Sequence, residues 1–194
     1  KVAVTDEIAN YHRRFCKNVW MIANGIETDK YKIRTVPEFD KELRILFLKG
    51  TSGMAPWNGL DRLISSIDAY IGGETRIRLI ICGSRIKGEI PERKYIEHRG
   101  YVEGEELDRL FSEVHLGCST LCLFRKNLNE AAVLKAREYF TRGLPFVYAY
   151  TDPDLDEHDP IHSYVMKVPN DDSLIDMNAV ISFYSRISDD ISHP

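Results

Sequence analysis

The 194-residue sequence has no apolar run near the ~20 residues that a membrane-spanning helix needs. Its opening residues also lack the apolar core of a secretory signal peptide. Neither a G-x-G-x-x-G nor a G-x-x-x-x-G-K-[ST] segment occurs, so a dinucleotide or P-loop site has no motif behind it. Basic residues do not dominate: 26 Lys and Arg stand against 30 Asp and Glu, for a formal net charge of -4. No long basic stripe interrupts that balance, which argues against nucleic acid as the main partner. Cysteine is scarce, with Cys16, Cys82, Cys118 and Cys122 the full set. Cys82 and Cys118 lie inside apolar runs and read as small core residues. The Cys118-x3-Cys122 spacing has no second pair to complete a zinc site. A reducing, cytoplasmic setting is therefore expected rather than a disulfide framework. Internal repeats and low-complexity tracts are absent as well.

What is present is the composition of a globular domain, 43% hydrophobic and 29% charged. The length suffices for one well-buried core. The chain opens on Lys1 and enters directly into the strand-like Lys1-Val2-Ala3-Val4, and further natural sequence is expected upstream.

Short unbroken apolar runs alternate with helical stripes. Residues 44–49 (RILFLK) predict a buried strand; Leu60, Leu63, Ile64, Ile67 and Ile71 follow at helical spacing, and Gly72-Gly73 ends them. Further strands are expected over residues 77–82, 95–98, 114–119, 145–150 and 164–168. Helices are expected around Leu107, Leu110 and Phe111, over 131–142, and over 173–187. Continuous rather than alternating apolar strands, each followed by a helix, imply a parallel sheet covered on both faces. The expected fold is α/β, a Rossmann-like doubly wound parallel sheet, which binds ligands beyond the carboxyl ends of its strands. Residues 1–40 fit this scheme poorly. They hold one strand, a polar helix and the turn Asn24-Gly25, and read as a connecting segment.

Three loops leave strands where a ligand would bind. Residues 50–59 (GTSGMAPWNG) are rich in small residues and lead into a helix, so their backbone could approach a phosphate. An ordinary flexible loop with Asn58 as helix N-cap explains them equally well. Arg99-Gly100-Tyr101-Val102 exposes backbone that could meet a nucleobase edge. Residues 123–130 (LFRKNLNE) place Arg125 and Lys126 just before a helix start, an anion-attracting corner. Glu130 and Glu138 are eight residues apart, ~12 Å of rise if both are helical. Two carboxylates so spaced could hold hydroxyls at both ends of a nucleotide diphosphate-sugar, with cations or amides between them for the phosphates. Pairing of Glu138 with Lys135 and Arg142 at helical spacing is the competing explanation, and the spacing alone does not decide.

The order of these features resembles the GT-B glycosyltransferases of the large retaining group known as family 4. Val2-Ala3-Val4-Thr5 is similar to the last strand of their acceptor-side domain, and Ala23-Asn24-Gly25-Ile26 to their linker. Residues 57–64 (WNGLDRLI) resemble a W-H-G-x-D-R-L-I element of bacterial surface-polysaccharide transferases. Residues 130–139 (EAAVLKAREY) resemble the E-x7-E element, and residues 142–146 (RGLPF) the x-G-x-P that follows it. The resemblance implies that residues 1–40 end an acceptor-side domain and its linker. Residues 41–194 would then form the nucleotide-sugar-binding, C-terminal half of the fold.

It also implies roles. Glu138 would bind the ribose and Glu130 would face the transferred sugar. The backbone near Val133 and Leu134 would meet the phosphates, and Val102 the base. No metal is implied, because an Arg and a Lys usually neutralise the diphosphate as it leaves, and fixed cations suit the charge that develops there. The usual Lys before the first helix is here Asn58, beside Gly59, and the usual Arg has no match nearer than Lys49. Arg125, Lys126 and Lys135 are the other cations available, and the sequence does not choose among them. The acidic residues Asp152, Asp154, Asp156, Glu157 and Asp159, with His158 and His162, show no known metal-ligand spacing between Pro153 and Pro160. Residues 11–20 (YHRRFCKNVW) mix bases and aromatics but read as a linker helix.

The expectation is thus half of a glycosyltransferase that moves a sugar from a UDP- or GDP-linked donor, with retention, in polysaccharide or glycoconjugate synthesis. Its partners would be the nucleotide sugar, a missing N-terminal domain and a glycan or lipid-linked acceptor. The full-length protein would be cytoplasmic, with the inner face of the membrane as a peripheral site. By itself the chain would bind donor weakly and not turn over. The alternatives are a non-transferring GT-B relative, such as a sugar-nucleotide epimerase or phosphorylase, and a binding module with a degenerate site.

Overall fold

The computed structural model describes residues 1–49, 55–70, 73–84, 90–155 and 158–192. Its centre is β3 (Glu42–Leu48), where Leu43, Ile45, Leu46 and Phe47 are all buried, so both faces of the strand are covered. Such a strand must lie inside a sheet. Five others join it: β4 (Arg76–Cys82), β5 (Ile96–Gly100), β6 (Leu116–Cys118), β7 (Phe146–Tyr148) and β8 (Val165–Lys167). The order is β5-β4-β3-β6-β7-β8 with every pairing parallel. Strand order therefore reverses between β3 and β6, which opens a crevice at their carboxyl ends.

Four helices serve this sheet: α2 (Leu60–Ala69), α3 (Gly104–Glu113), α4 (Leu134–Arg142) and α5 (Met177–Ser192). One apolar layer joins Leu63, Ile67, Val180 and Tyr184 to one face; the other joins Leu110, Phe111, Ala136 and Tyr139 to the opposite face. The doubly wound α/β expectation is met. Among the described residues no helix is long and apolar enough to cross a membrane.

Residues 1–40 precede the sheet. β1 (Val2–Ala3) pairs in parallel with β2 (Trp20–Met21), and α1 (Asp6–Arg13) lies between them, capped by Thr5. The segment is fastened to the larger domain at several points. Arg34 Nη1 donates to Val114 O at 2.6 Å and Asn24 Nδ2 to Ala132 O at 2.6 Å.

Two helix starts differ from the sequence expectation. α4 begins at Leu134, not at residue 131, because Glu130 bridges Thr151 in parallel and Ala131 N donates to Thr151 O. α5 begins at Met177, not at 173, since Asp176 Oδ1 accepts from Asn178 N and Ala179 N, while the Ser173 carbonyl holds Arg62. Residues 50–54, 71–72 and 85–89 of the expected loops and helix lie outside the described residues.

Candidate functional site

Beyond the carboxyl ends of β3 and β6 lies a cleft of about 690 Å³, within the ~300–1,000 Å³ typical of small-molecule sites. One wall comes from the sheet domain: Leu48, Lys49, Asn58, Val133, Leu134, Lys135 and Glu138. The other comes from the connecting segment, through Gly25, Ile26, Glu27, Lys30 and Tyr31.

α4 points its start at this cleft. No side chain caps it; Val133, in extended conformation, precedes the first helical residue. Ala136 N and Arg137 N turn back to the Val133 carbonyl, but among the described residues the N–H groups of Leu134 and Lys135 find no acceptor. Unpaired amides at the positive end of a helix form an anion site. Below them, Lys135 Nζ sits 4.6 Å from the centroid of the Phe47 ring. That ammonium is closed off from solvent and has no hydrogen-bond partner among the described residues, although the residue as a whole is half-buried. Burial pulls its pKa from 10.5 down to about 8, opposed only by the nearby Cys118 thiol. Phe47 belongs to β3 and Cys118 to β6, so the uncompensated charge sits under the point where strand order reverses.

The other cations named by the sequence are engaged. Lys49 Nζ donates to Ser84 O at 2.9 Å. Arg125 bonds Asp61 at 2.9 Å, Asp172 at 2.7 Å and Pro56 O at 2.9 Å, which fastens the 3₁₀ turn Leu123–Lys126 to its surroundings. The hydrogen bonds that this guanidinium donates to Asp61 and Asp172 raise its pKa further. Lys126 Nζ lies 4.4 Å from the Trp57 ring centroid. Neither Arg125 nor Lys126 lines the cleft.

Glu138 does line it, and is also ion-paired. Its Oε1 accepts from Arg142 Nε at 3.0 Å, and Arg142 Nη1 reaches Asp108 at 2.6 Å. Arg142 is sandwiched between the rings of Tyr31 and Phe111, at 5.1 and 4.4 Å. The helical ion pair and the cleft position therefore coexist. The pair orients Glu138 and leaves its Oε2 without a hydrogen bond among the described residues.

Glu130 stands apart from the cleft lining. It precedes α4 in extended backbone, so the helical rise reckoned between Glu130 and Glu138 does not apply. Its Oε2 accepts from Glu7 N at 2.8 Å, and Glu7 Oε2 accepts from Asn129 N at 2.8 Å and Glu130 N at 3.0 Å. Each glutamate thus receives the other's backbone, with Glu130 at the positive end of α1.

Asn58 lines the cleft, but it is not a helix cap. Gly59 occupies that position at φ 73°, and a Cβ there would come within 2.8 Å of Cys122 Sγ and Leu121 Cβ. Only glycine meets both demands. Val102 is buried among Leu110, Phe111 and Cys82 and does not line the cleft. Asp152, from the acidic stretch, is a structural partner: Arg137 grips both its oxygens at 2.8 and 2.7 Å and Asn24 O at 3.0 Å. Asp156 and Glu157 lie outside the described residues.

Sequence reasoning missed the second wall, including Tyr31 and the Lys30–Glu27 pair at 2.7 Å. The expected turn at Asn24-Gly25 is extended chain in the structure, with Gly25 itself in the cleft wall.

No protein-family model and no curated protein matches the sequence. Solved structures do match. Sucrose-phosphate synthase from Thermosynechococcus elongatus is 15% identical over 97% of this chain and 49% of its own, with a TM-score of 0.61. TarM is 14% identical over 98% and 37%, with a TM-score of 0.60. The lipopolysaccharide outer core galactosyltransferase WaaB, in its apo form, is 13% identical over 96% and 51%, with a TM-score of 0.59. At such identities the likeness is one of fold: this chain has the Rossmann-like α/β fold of a GT-B glycosyltransferase domain. It spans about half or less of the length of these proteins.

Proposed function

We propose that this chain is the donor-binding half of a GT-B glycosyltransferase and takes a nucleotide-diphosphate sugar into the cleft between β3 and β6. The observation that carries the reading is the meeting of uncapped α4 amides, an unpaired buried ammonium and the Glu138 carboxylate in one cleft of about 690 Å³. Anion donors and a carboxylate set side by side suit a ligand with phosphates next to hydroxyls.

In this reading Arg142 holds Glu138 by Oε1, and Oε2 receives the ribose hydroxyls. The amides of Leu134 and Lys135 receive the phosphates, and the base extends past the cleft lining toward the backbone at Val102. Glu130 takes a hydroxyl of the transferred sugar on the oxygen that Glu7 does not use. Transfer proceeds with retention and without a metal, in the synthesis of a polysaccharide or glycoconjugate. The acceptor, a glycan or lipid-linked molecule, is held by a second domain rather than by this chain, and nucleic acid is not a partner. Exposed Val2, Trp20 and Ile22 along the β1–β2 edge support such a covering domain. The full-length protein works in the cytoplasm, peripherally at the inner face of the membrane, and this chain alone binds donor weakly without turning it over.

A thermal-shift and calorimetric screen with UDP, GDP and ADP tests this. One of them is expected to bind and to raise Tm, with Glu138→Ala weakening binding by a charged hydrogen bond, about 1.5–3 kcal/mol. Silence toward all three would make the chain an interaction module, for which Asn58 in place of a lysine is the motivating observation. Isomerised or phosphorolysed sugar from the full-length enzyme would point instead to a non-transferring relative.

A further inference from the structure

We infer that the Lys135 ammonium is the counter-charge for the diphosphate of the bound donor and the group that stabilises the nucleoside diphosphate as it leaves. The inference rests on the donor-binding reading above and answers what the sequence left open, namely which cation serves the leaving group.

Departure of the sugar requires a positive charge that is free to respond. The C1–O bond of the donor breaks with its electron pair on the phosphate oxygen. The acceptor hydroxyl oxygen bonds C1, and its proton passes to the departing phosphate. Negative charge grows on the diphosphate throughout, and a preorganised cation in a water-poor site lowers that barrier most. Lys135 transfers no proton in this scheme.

The other cations named above are each committed among the described residues. Lys49 serves the Ser84 carbonyl, Lys30 pairs with Glu27, Arg125 is shared between Asp61 and Asp172, and Lys126 rests on Trp57. Among the described residues Lys135 alone combines a place in the cleft wall with a nitrogen that is buried and unpartnered.

The ammonium lies beneath the cleft floor against the face of Phe47, 4.6 Å from the ring centroid, a cation–π contact. The four-carbon stem lets it swing toward a ligand, and Lys135 also contributes one of the two unpaired amides of α4. Both donors of one residue then converge on the diphosphate. The same position explains how the chain dispenses with the cation replaced by Asn58: the charge approaches from below the crevice rather than from the loop before α2.

The test compares nucleoside diphosphates with their nucleosides, because only the former carry the charge at issue. The 194-residue chain is titrated with UDP, GDP and ADP, and with uridine, guanosine and adenosine, as wild type, Lys135→Met and Lys135→Arg. The wild type should prefer the diphosphate of its base over the nucleoside by ten- to a hundredfold. Lys135→Met should lose most of that preference, with the α4 amides supplying the remainder, while nucleoside affinity stays put, and Lys135→Arg should retain more of it. Circular dichroism and a Tm at or above wild type show that Lys135→Met is folded. A folded Lys135→Met chain that keeps the full preference overturns the Lys135 assignment and leaves the donor-binding reading intact. A wild-type chain that binds none of the diphosphates at millimolar concentration overturns both.

Discussion

An ammonium buried without a partner should weaken the empty protein, and the amount can be worked out. Lys135 Nζ is shielded from water, lies over the Phe47 ring without a hydrogen-bond partner among the described residues, and burial lowers its pKa from 10.5 to about 8. At about 1.36 kcal/mol per pH unit, that fall corresponds to up to about 3 kcal/mol of destabilisation when the group is charged. Lys135→Met keeps the unbranched shape, removes the charge and leaves no hydrogen bond broken. At pH 7 it should therefore stabilise the chain by up to about 3 kcal/mol, which is up to about 6–12 °C in Tm for a domain of this size. The pH dependence gives a second, independent check. Below pH 8 the lysine is protonated in both folded and unfolded states, so the cost is constant. Between 8 and 10.5 the folded protein releases the proton while the unfolded chain keeps it, and wild-type stability climbs relative to the variant. Scanning calorimetry of both proteins at pH 7, 8, 9 and 9.5 measures the gap, and taking the difference removes the tyrosines and cysteines common to both. A Tm for Lys135→Met at or below wild type at pH 7, or a gap that stays constant up to pH 9.5, would refute the reasoning.

Arg137→Met strands the fully buried Asp152 carboxylate and should lower stability by about 3–5 kcal/mol, read as an early urea midpoint. Gly59→Ala places a Cβ within 2.8 Å of Cys122 Sγ and Leu121 Cβ at a positive φ, and a fall of about 1–3 kcal/mol with a shifted cleft is expected on denaturant titration. His115 is buried with its pKa lowered to about 4 by desolvation, so the unfolded chain takes up its proton near 6.5 and the folded chain does not. Stability should decline as pH falls from 6.5 toward 4, and His115→Gln should flatten that part of the acid-denaturation curve.

The sheet was legible because its strands are buried on both faces. Runs such as Ile45-Leu46-Phe47 and Leu79-Ile80-Ile81 are apolar without alternation, which identifies interior parallel strands directly. The two misplaced helix starts share one cause. Residues 130–133 (EAAV) favour a helix locally, yet Thr151 offers them a parallel bridge, and that pairing joins positions 21 residues apart that no local window compares. Ser173 likewise looks like a helix start until Arg62, 111 residues away, claims its carbonyl.

The candidate site was legible at the level of its loops and not at the level of its charges. From spacing alone, Lys135 and Arg142 are equivalent partners for Glu138, three residues before it and four after. The structure separates them through what each can reach. Arg142 has aromatic rings on both sides and Asp108 ahead of it, so its planar head is held where Glu138 can share it. Lys135 lies at the second residue of α4, where the side chain points back under the first turn toward Phe47, away from Glu138. A helical wheel gives the angle of a side chain but not what lies beneath the helix start. Under α4 lies the junction of β3 and β6, set by pairing of residues 45–47 with 116–118. The charge left without a partner there among the described residues, more than the glutamate spacing, is what supports the proposal that the cleft takes an anion.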